Sequence, residues 1–399
     1  MNLLNYTEIR KILLTIHHNL DPNAGAPGAT WKLGQEYQKL GHEVHYYTFD
    51  NLPDKLSGLV GSIMFPGFVA GHIWDLVNKQ AVELVDASTG DAWIWAKMRR
   101  ISRKKSPLLV TRSHGLEHTM HLEYLEEARR GNLHLSWKYP LYHGGFRLWE
   151  VATSIRNADL VLLLNHPDAE YVVEKFGVHS EQTGIVANGI PEEFLNLPFE
   201  PMQKAEDSAI CIAQVGNYIA RKGIEYGAVA LNAILARYAY VKVSFLGTGC
   251  SEAEVHADFE PAVSARIRVV QRYQHETLPE FLRGHHIKLF PTFSEGFGLA
   301  LIEAMACGLA PVTTTTPGPM EIVSDGHDGI FIPSRDSQAL EQALERLITD
   351  RPYLGKLRRN AYATAQKYSW YRIARDNLTF YEAACLIKEV LNEALYCYS

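Results

Sequence analysis

Cysteine is sparse and unpatterned in this chain: Cys211, Cys250, Cys307, Cys385 and Cys397 are odd in number, scattered, and nowhere at a paired metal-ligand spacing. That argues against a disulfide framework or a cysteine metal site, and the thiols read as reduced in a cytosolic protein. A strong charge of either sign is also lacking. The 39 basic and 45 acidic residues leave a formal net charge of -6, which argues against bulk electrostatic capture of nucleic acid. No unbroken apolar stretch opens the chain, because Glu8, Arg10 and Lys11 interrupt it, so no export signal is read. The most apolar window, LVGSIMFPGFVAGHIW from Leu59 to Trp74, is broken by glycines, Pro66 and His72. It is shorter than the roughly 20 residues of a membrane span and is expected to be buried strand and loop. Low-complexity tracts and short fixed-period repeats are absent.

What is present is length and alternation. At 399 residues with 47% hydrophobic content, two globular domains are the default expectation. KILLTI (Lys11 to Ile16) reads as a strand, ATWKLGQEYQKLG as a helix and HEVHYYTF as a strand, which together make a βαβ unit. AVELVDAS, SPLLVTRS and DLVLLLN continue as strands, with DAWIWAKMRRIS and LWEVATSIRNA as helices. Further on, AICIAQVG, VKVSFLG, IRVVQ, IKLFPT and APVTTTT alternate with GIEYGAVALNAILARY, TLPEFLRG and GLALIEAMACG. The pattern predicts two Rossmann-like, doubly wound parallel sheets, an α/β fold. The proline-bearing stretch 189–208 is read as a linker between a first domain, 1–188, and a second, 209–369, with a long helical pattern over 370–399 returning to the first.

Open parallel sheets bind ligands beyond the carboxyl ends of their strands, and FPTFSEGFGLALIEAM places its polar residues there. Glu295 lies in the loop, while Gly296 and Gly298 open the helix. Glycine lets backbone N–H groups approach closely, and a helix amino terminus favours an anion, so a phosphate fits. Glu295 is then a poor phosphate ligand but a good acceptor for sugar hydroxyls beyond it. Glu303 follows Leu299 by four residues and shares its helix face. Among Leu301, Ile302 and Met305 its carboxylate needs donors, and the two hydroxyls of a ribose supply them. The bland alternative is that Glu303 points to solvent on an amphipathic helix.

Two glutamates separated by seven residues in FPTFSEGFGLALIEAMACGLAPV, with LGHEV, RSHGLEH, VANGI, VGNYIARKG, LGTG, PGPMEIVSDGHDG and YSW in order, resemble the signature of glycosyltransferase family four, retaining enzymes of the GT-B fold. The likeness spans nearly the whole chain. It implies two domains facing each other across a cleft, the first on the acceptor side and the second binding a nucleotide-sugar donor. It also implies sugar transfer with retention of configuration, with no metal or other cofactor, to a glycan, lipid-linked or small-molecule hydroxyl. By resemblance, Glu295 binds the donor sugar, Glu303 the ribose, and the backbone of Phe297, Gly298 and Leu299 the distal phosphate.

The remaining assignments follow the same likeness. In VGNYIARKG, Gly216 opens the motif and Lys222, with Arg221, matches the phosphate-binding cation, where charge on the leaving group most needs it; Asn217 stands where the family commonly has arginine. His114 in TRSHGLEH matches a histidine near the reacting sugar, whereas His118, His17 and His18 carry no clear role. Gly25 and Gly28, in the loop NAGAPGATW, are placed against donor phosphates or acceptor; Asn23 and Asp21 serve equally as turn formers. Arg272 and Tyr273 lie near the nucleobase. PGPMEIV keeps Glu321 but offers Pro317, Gly318 and Met320 in place of the usual double glycine and proline, a change that either alters the acceptor side or stiffens the loop. The basic cluster KMRRISRKK (Lys97 to Lys105), preceded by Trp93 and Trp95, is read as a solvated helix face with inward tryptophans. Contact with an anionic membrane surface is its alternative. A nicotinamide dehydrogenase would need a tight glycine fingerprint after the first strand, and LDPNAGAPGAT lacks that spacing although Asp50 suits.

Overall fold

The computed structural model describes residues 9–397 apart from 23, 54, 55, 57, 101–105, 132 and 203–208. Asn23 and much of the basic run 97–105 therefore lie outside the described residues. The chain divides into two compact units. One comprises Met1–Leu125, His134–Asn188 and Trp370–Ser399, and the other Glu126–Leu133 and Gly189–Ser369.

The first unit holds β1 (Lys11–Ile16), β2 (Glu43–Thr48), β3 (Leu84–Ser88), β4 (Leu108–Arg112), β5 (Leu160–Leu163) and β6 (Thr183–Ile185), in the order β2-β1-β3-β4-β5-β6. Every ladder is parallel. Strands covered on both faces read as continuous apolar runs rather than alternations, and β3, β4 and β5 are buried throughout. One face is covered by the helices Gly25–Lys39 and Trp370–Cys397, which bring Leu33, Tyr37, Ile373, Ala374 and Tyr381 onto Ile12, Leu84 and Val110. Arg112 ties the second of these helices to the sheet, donating to Asp86 Oδ2 at 2.6 Å, Asn377 Oδ1 at 2.7 Å and Tyr381 Oη at 2.9 Å. All four side chains are buried.

On the other face the stretch expected as strand and loop is one helix, Gly58–Asn78, with Pro66 inside it. Proline removes one backbone donor and disfavours a helix interior, and the glycines weaken it further. The helix forms because Phe65, Val69, Ala70 and Ile73 seat in the core against Leu13, Val85 and Leu109. By length and composition it could cross a membrane, which corrects the shorter span read from sequence; Leu59, Val60, Ile63 and Met64 are exposed.

The second unit holds β7 (Ile210–Val215), β8 (Val241–Leu246), β9 (Ile267–Val270), β10 (Ile287–Phe290), β11 (Ala310–Thr314) and β12 (Ile330–Ile332), in the order β12-β11-β10-β7-β8-β9, again all parallel. Its core joins Ile212, Val243, Leu289 and Val312 to the helices Ile224–Arg237, Ser337–Thr349 and Arg351–Ala365 through Leu231, Leu344 and Leu357. Described cysteines 211, 250, 307 and 385 are free.

Candidate functional site

In the second sheet the winding reverses between β7 and β10, the place where an open parallel sheet leaves a crevice for a ligand. One loop leaves β7 through Gly216 and Asn217 to a single 3-10 turn, Ala220–Lys222. The other leaves β10 through Thr292 and Ser294 to Glu295 and the helix Leu299–Ala306. The loops are laced together. The Arg221 carbonyl accepts from Phe293 N–H at 3.2 Å and from the Thr292 hydroxyl at 3.0 Å, while Arg221 Nη1 donates to the Ser294 carbonyl at 2.8 Å. Gly223 permits the approach. Its φ is 68°, and a Cβ there would stand 1.9 Å from the Pro291 carbonyl oxygen, so a side chain would force the loops apart.

Held this way, Lys222 Nζ reaches Glu295 Oε2 at 2.5 Å, with Arg221 Nη1 3.8 Å from the same oxygen. Gly298, at φ 106° and ψ 54°, starts the helix without a side chain to cap it, so its first-turn N–H groups are the anion-favouring end. Glu295, Gly296, Phe297, Gly298 and Leu299 thus lie on one loop beside Lys222 and Arg221. Gly318, in the helix Pro317–Ile322, donates its N–H to the Glu295 carbonyl at 3.0 Å. The PGPMEIV segment is thus tied to the Glu295 loop.

Glu303 is 6% exposed, and its Oε1 meets His275 Nε2 at 2.8 Å. The solvent-facing alternative is excluded, and the buried charge has a partner that sequence reasoning missed. His275 comes from the loop after β9, 28 residues upstream of Glu303, where no local pattern points to it. In the same loop the Tyr273 ring lies against Gly247, and burial, then the Glu303 carboxylate, raises its phenol above the ordinary range. The same two causes push the Cys307 thiol up to about 12. Arg272 and Asn217 are exposed.

In the first unit the winding reverses between β1 and β3, and a second polar cluster sits there. Asp91, fully buried, accepts from the Thr15 hydroxyl at 3.0 Å and pairs with His17 Nδ1 at 2.8 Å. Arg147 Nη2 lies 3.2 Å from His17 Nε2, donates to the Thr89 carbonyl at 2.5 Å and meets Glu117 Oε1 at 3.2 Å. Glu150 accepts from Trp93 Nε1 at 3.0 Å, and burial lifts its carboxyl to about 7 against the opposing pull of Arg147. His17 thus gains partners, while Asp91, Arg147, Glu117 and Glu150 were not singled out from sequence. His114 follows β4; burial, then Arg112 and the histidines 17 and 18, lowers its ring to about 3, and Nε2 has no hydrogen-bond partner among the described residues. His118 packs edge-on to Phe176 with ring centroids 4.7 Å apart.

One sequence expectation changes. Gly25 and Gly28 lie inside the helix Gly25–Lys39 rather than in a loop ahead of it; Gly28 N–H already donates to the Ala24 carbonyl at 2.9 Å. In the described part of the basic cluster Lys97 and Arg100 are exposed and Trp95 is buried, in keeping with a solvated helix face, while Arg99 is folded onto Asp159 at 2.6 Å.

Residues 209–350 match the family described as Glycosyl transferases group 1. An uncharacterized glycosyltransferase of Methanocaldococcus jannaschii is 26% identical over 225 residues, 54% of this chain and 57% of that protein. The chain spans about half the length of the curated relatives it matches. Among solved structures, sucrose-phosphate synthase from Thermosynechococcus elongatus superposes with a TM-score of 0.71 at 20% identity, covering 98% of this chain and all of that one. Anabaena HepE in complex with UDP and glucose gives 0.64 at 17% identity, over 93% and 98%. At such identities the likeness establishes the fold, which is GT-B.

Proposed function

Starting from a chain that carries a glycosyl transferases group 1 domain, we propose that it moves a sugar from a nucleoside diphosphate donor to an acceptor hydroxyl. The observation that carries this reading is the meeting of Lys222, Arg221 and Glu295 beside the Gly298 helix start, with Glu303 buried one turn deeper. A diphosphate there competes with Glu295 for Lys222 and Arg221 and takes the helix N–H groups. Glu295 is then released to accept from sugar hydroxyls. Glu303, oriented by His275, accepts from the ribose hydroxyls, and the loop bearing Arg272 and Tyr273 borders the base.

The step is a front-side displacement with retention. The acceptor oxygen bonds to the anomeric carbon as the bond to the phosphate oxygen breaks, on the same face, and that phosphate oxygen takes the acceptor proton. Lys222 and Arg221 neutralise the charge growing on the leaving diphosphate, the task a metal would otherwise perform. His114 is assigned a hydrogen bond to a hydroxyl of the reacting sugar, which its unpartnered Nε2 and neutral ring suit. HepE, whose structure contains UDP and glucose, makes uridine the first base to try, with guanosine next. The acceptor is a glycan, lipid-linked or small-molecule hydroxyl, and the setting is cytoplasmic.

The test is binding followed by turnover. Uridine, guanosine and adenosine diphosphates are expected to raise the melting temperature where NAD does not, and a matching sugar donor is expected to release its nucleoside diphosphate when acceptor is added. Stabilisation without release under every donor and acceptor would favour the second reading, a nucleotide-sugar-binding protein with a decayed site, which Asn217 in place of the family arginine keeps in play.

A further inference from the structure

Lys288 is the one charged residue of a four-residue strand, β10, whose every residue is buried. A strand covered on both faces has no ordinary place for an ammonium. Lys288 is 0% exposed and its Nζ has no hydrogen-bond partner among the described residues. Nor is it isolated from the site. Its Nζ stands 5.2 Å from the centroid of the Phe290 ring, and Lys222 Nζ stands 5.1 Å from the same centroid. That ring also packs against Gly298 at the start of the Leu299–Ala306 helix. Thr313, level with Phe290 on β11, carries another unpartnered buried oxygen, Oγ1.

We propose that Lys288 is a buried countercharge for the donor's diphosphate, taking up a proton as the diphosphate binds. The inference rests on the nucleotide-sugar reading above. The charged groups around Nζ are Lys222 from the turn after β7, Glu295 from the loop after β10, and Glu303 from the helix. Arg221 and His275 are each one contact further, through Glu295 and Glu303. Ala213 and Pro311, its neighbours on the flanking strands, are uncharged. In the free protein Lys222 is committed to Glu295, and burial, then Lys222, holds the Lys288 amine well below its usual range. A diphosphate adds at least two negative charges, draws on Lys222 and leaves Glu295 in search of a cation. Lys288 lies beneath the site and acts through these groups, so it is a positioning residue.

The sign follows from linkage. A group whose proton affinity rises on binding favours the ligand fully below its free-state pKa, loses that advantage as pH rises above it, and levels off once its bound-state pKa is passed. Calorimetric titration of uridine, guanosine and adenosine diphosphate, in buffers of different ionisation enthalpy near pH 8.5, reads the protons taken up; at that pH a terminal phosphate, with a second pKa of about 6, no longer titrates. The wild type is expected to take up close to one proton and to lose up to about tenfold in affinity per pH unit. Lys288→Met is expected to abolish the uptake, weaken binding by about tenfold or more, and raise the melting temperature of the free protein, because an unpartnered amine gives way to an apolar chain of similar length. Wild-type binding without proton uptake, or uptake unchanged in K288M or lost only in His275→Gln, overturns the inference alone. Absence of binding by every diphosphate overturns the nucleotide-sugar reading itself. Should K288M not fold, the wild-type proton count and pH slope still decide.

Discussion

Gly223→Ala tests how the site is assembled without touching any proposed ligand contact. Two terms oppose the new methyl group. Its left-handed φ of 68° costs an L-residue about 1–2 kcal/mol. A Cβ placed 1.9 Å from the Pro291 carbonyl oxygen must push backbone aside, and such overpacking costs about 1–3 kcal/mol. The expected loss is therefore about 2–5 kcal/mol, read as a lower urea midpoint at unchanged slope. Because the displaced backbone carries Arg221 and Lys222 on one side and Thr292 to Glu295 on the other, a shift near 1 Å is expected to slow turnover by about 10²-fold. Gly25→Ala is the matched control. No described residue lies within 4 Å of a Cβ there and its φ is ordinary, so alanine inside that helix is expected to stabilise by about 0.5–1 kcal/mol and leave turnover unchanged. The reasoning is refuted if G223A unfolds at the wild-type midpoint and turns over normally. A G25A variant that loses turnover would restore that glycine to the site.

Glu295→Ala is expected to lower transfer by about 10²-fold or more while nucleoside diphosphate binds at least as well, since Lys222 is freed; equal loss of both in calorimetry would move Glu295 out of the sugar site. Glu303→Ala leaves His275 without its 2.8 Å partner and is expected to raise the donor KM by about tenfold with a smaller change in kcat. Glu150 titrates near 7 in the fold, above an ordinary carboxyl. Its protonated form contributes stability that is complete below the unfolded value and lost as pH rises through about 7, so Glu150→Gln should raise the urea midpoint at pH 8 relative to wild type and not at pH 4. Arg112→Met strands Asp86 in the core and is expected to cost about 3–5 kcal/mol, measured by denaturant unfolding of the whole chain.

The strands of both sheets were legible because a strand buried on two faces must be apolar along its length, as KILLTI, DLVLLLN and IKLFPT are. The Gly58–Asn78 helix was not. Its glycines and Pro66 disfavour helix locally, and only the seating of Phe65, Val69 and Ile73 in a core assembled from distant strands outweighs that preference. Short β6 and β12 carry too few residues to stand out. Within the site, Glu295 and Glu303 could be read because loop and helix are contiguous. Their partners arrive through tertiary structure: His275 from another loop, and Lys222 from 73 residues away. Lys288 did leave a signal, a lysine in a strand with no solvent face, and it is the kind of local inconsistency that marks a functional place. The pair Asp91 and Arg147 left none, since each is an ordinary loop or helix residue until the sheet closes around it.

The helix that begins at Trp370 supplies Asn377 and Tyr381 to the buried Arg112 and Asp86 of strands made far earlier. During translation the Arg112–Asp86 pair of the opening sheet must therefore wait for Asn377 and Tyr381 while every residue of the second unit leaves the ribosome. The later-encoded unit can finish folding before the earlier one does. A gene cut anywhere ahead of Trp370 would leave Leu84 and Val110 without the cover of Ile373, Ala374 and Tyr381, so any attempt to split the protein into separately expressed pieces should carry that closing segment along with the opening strands.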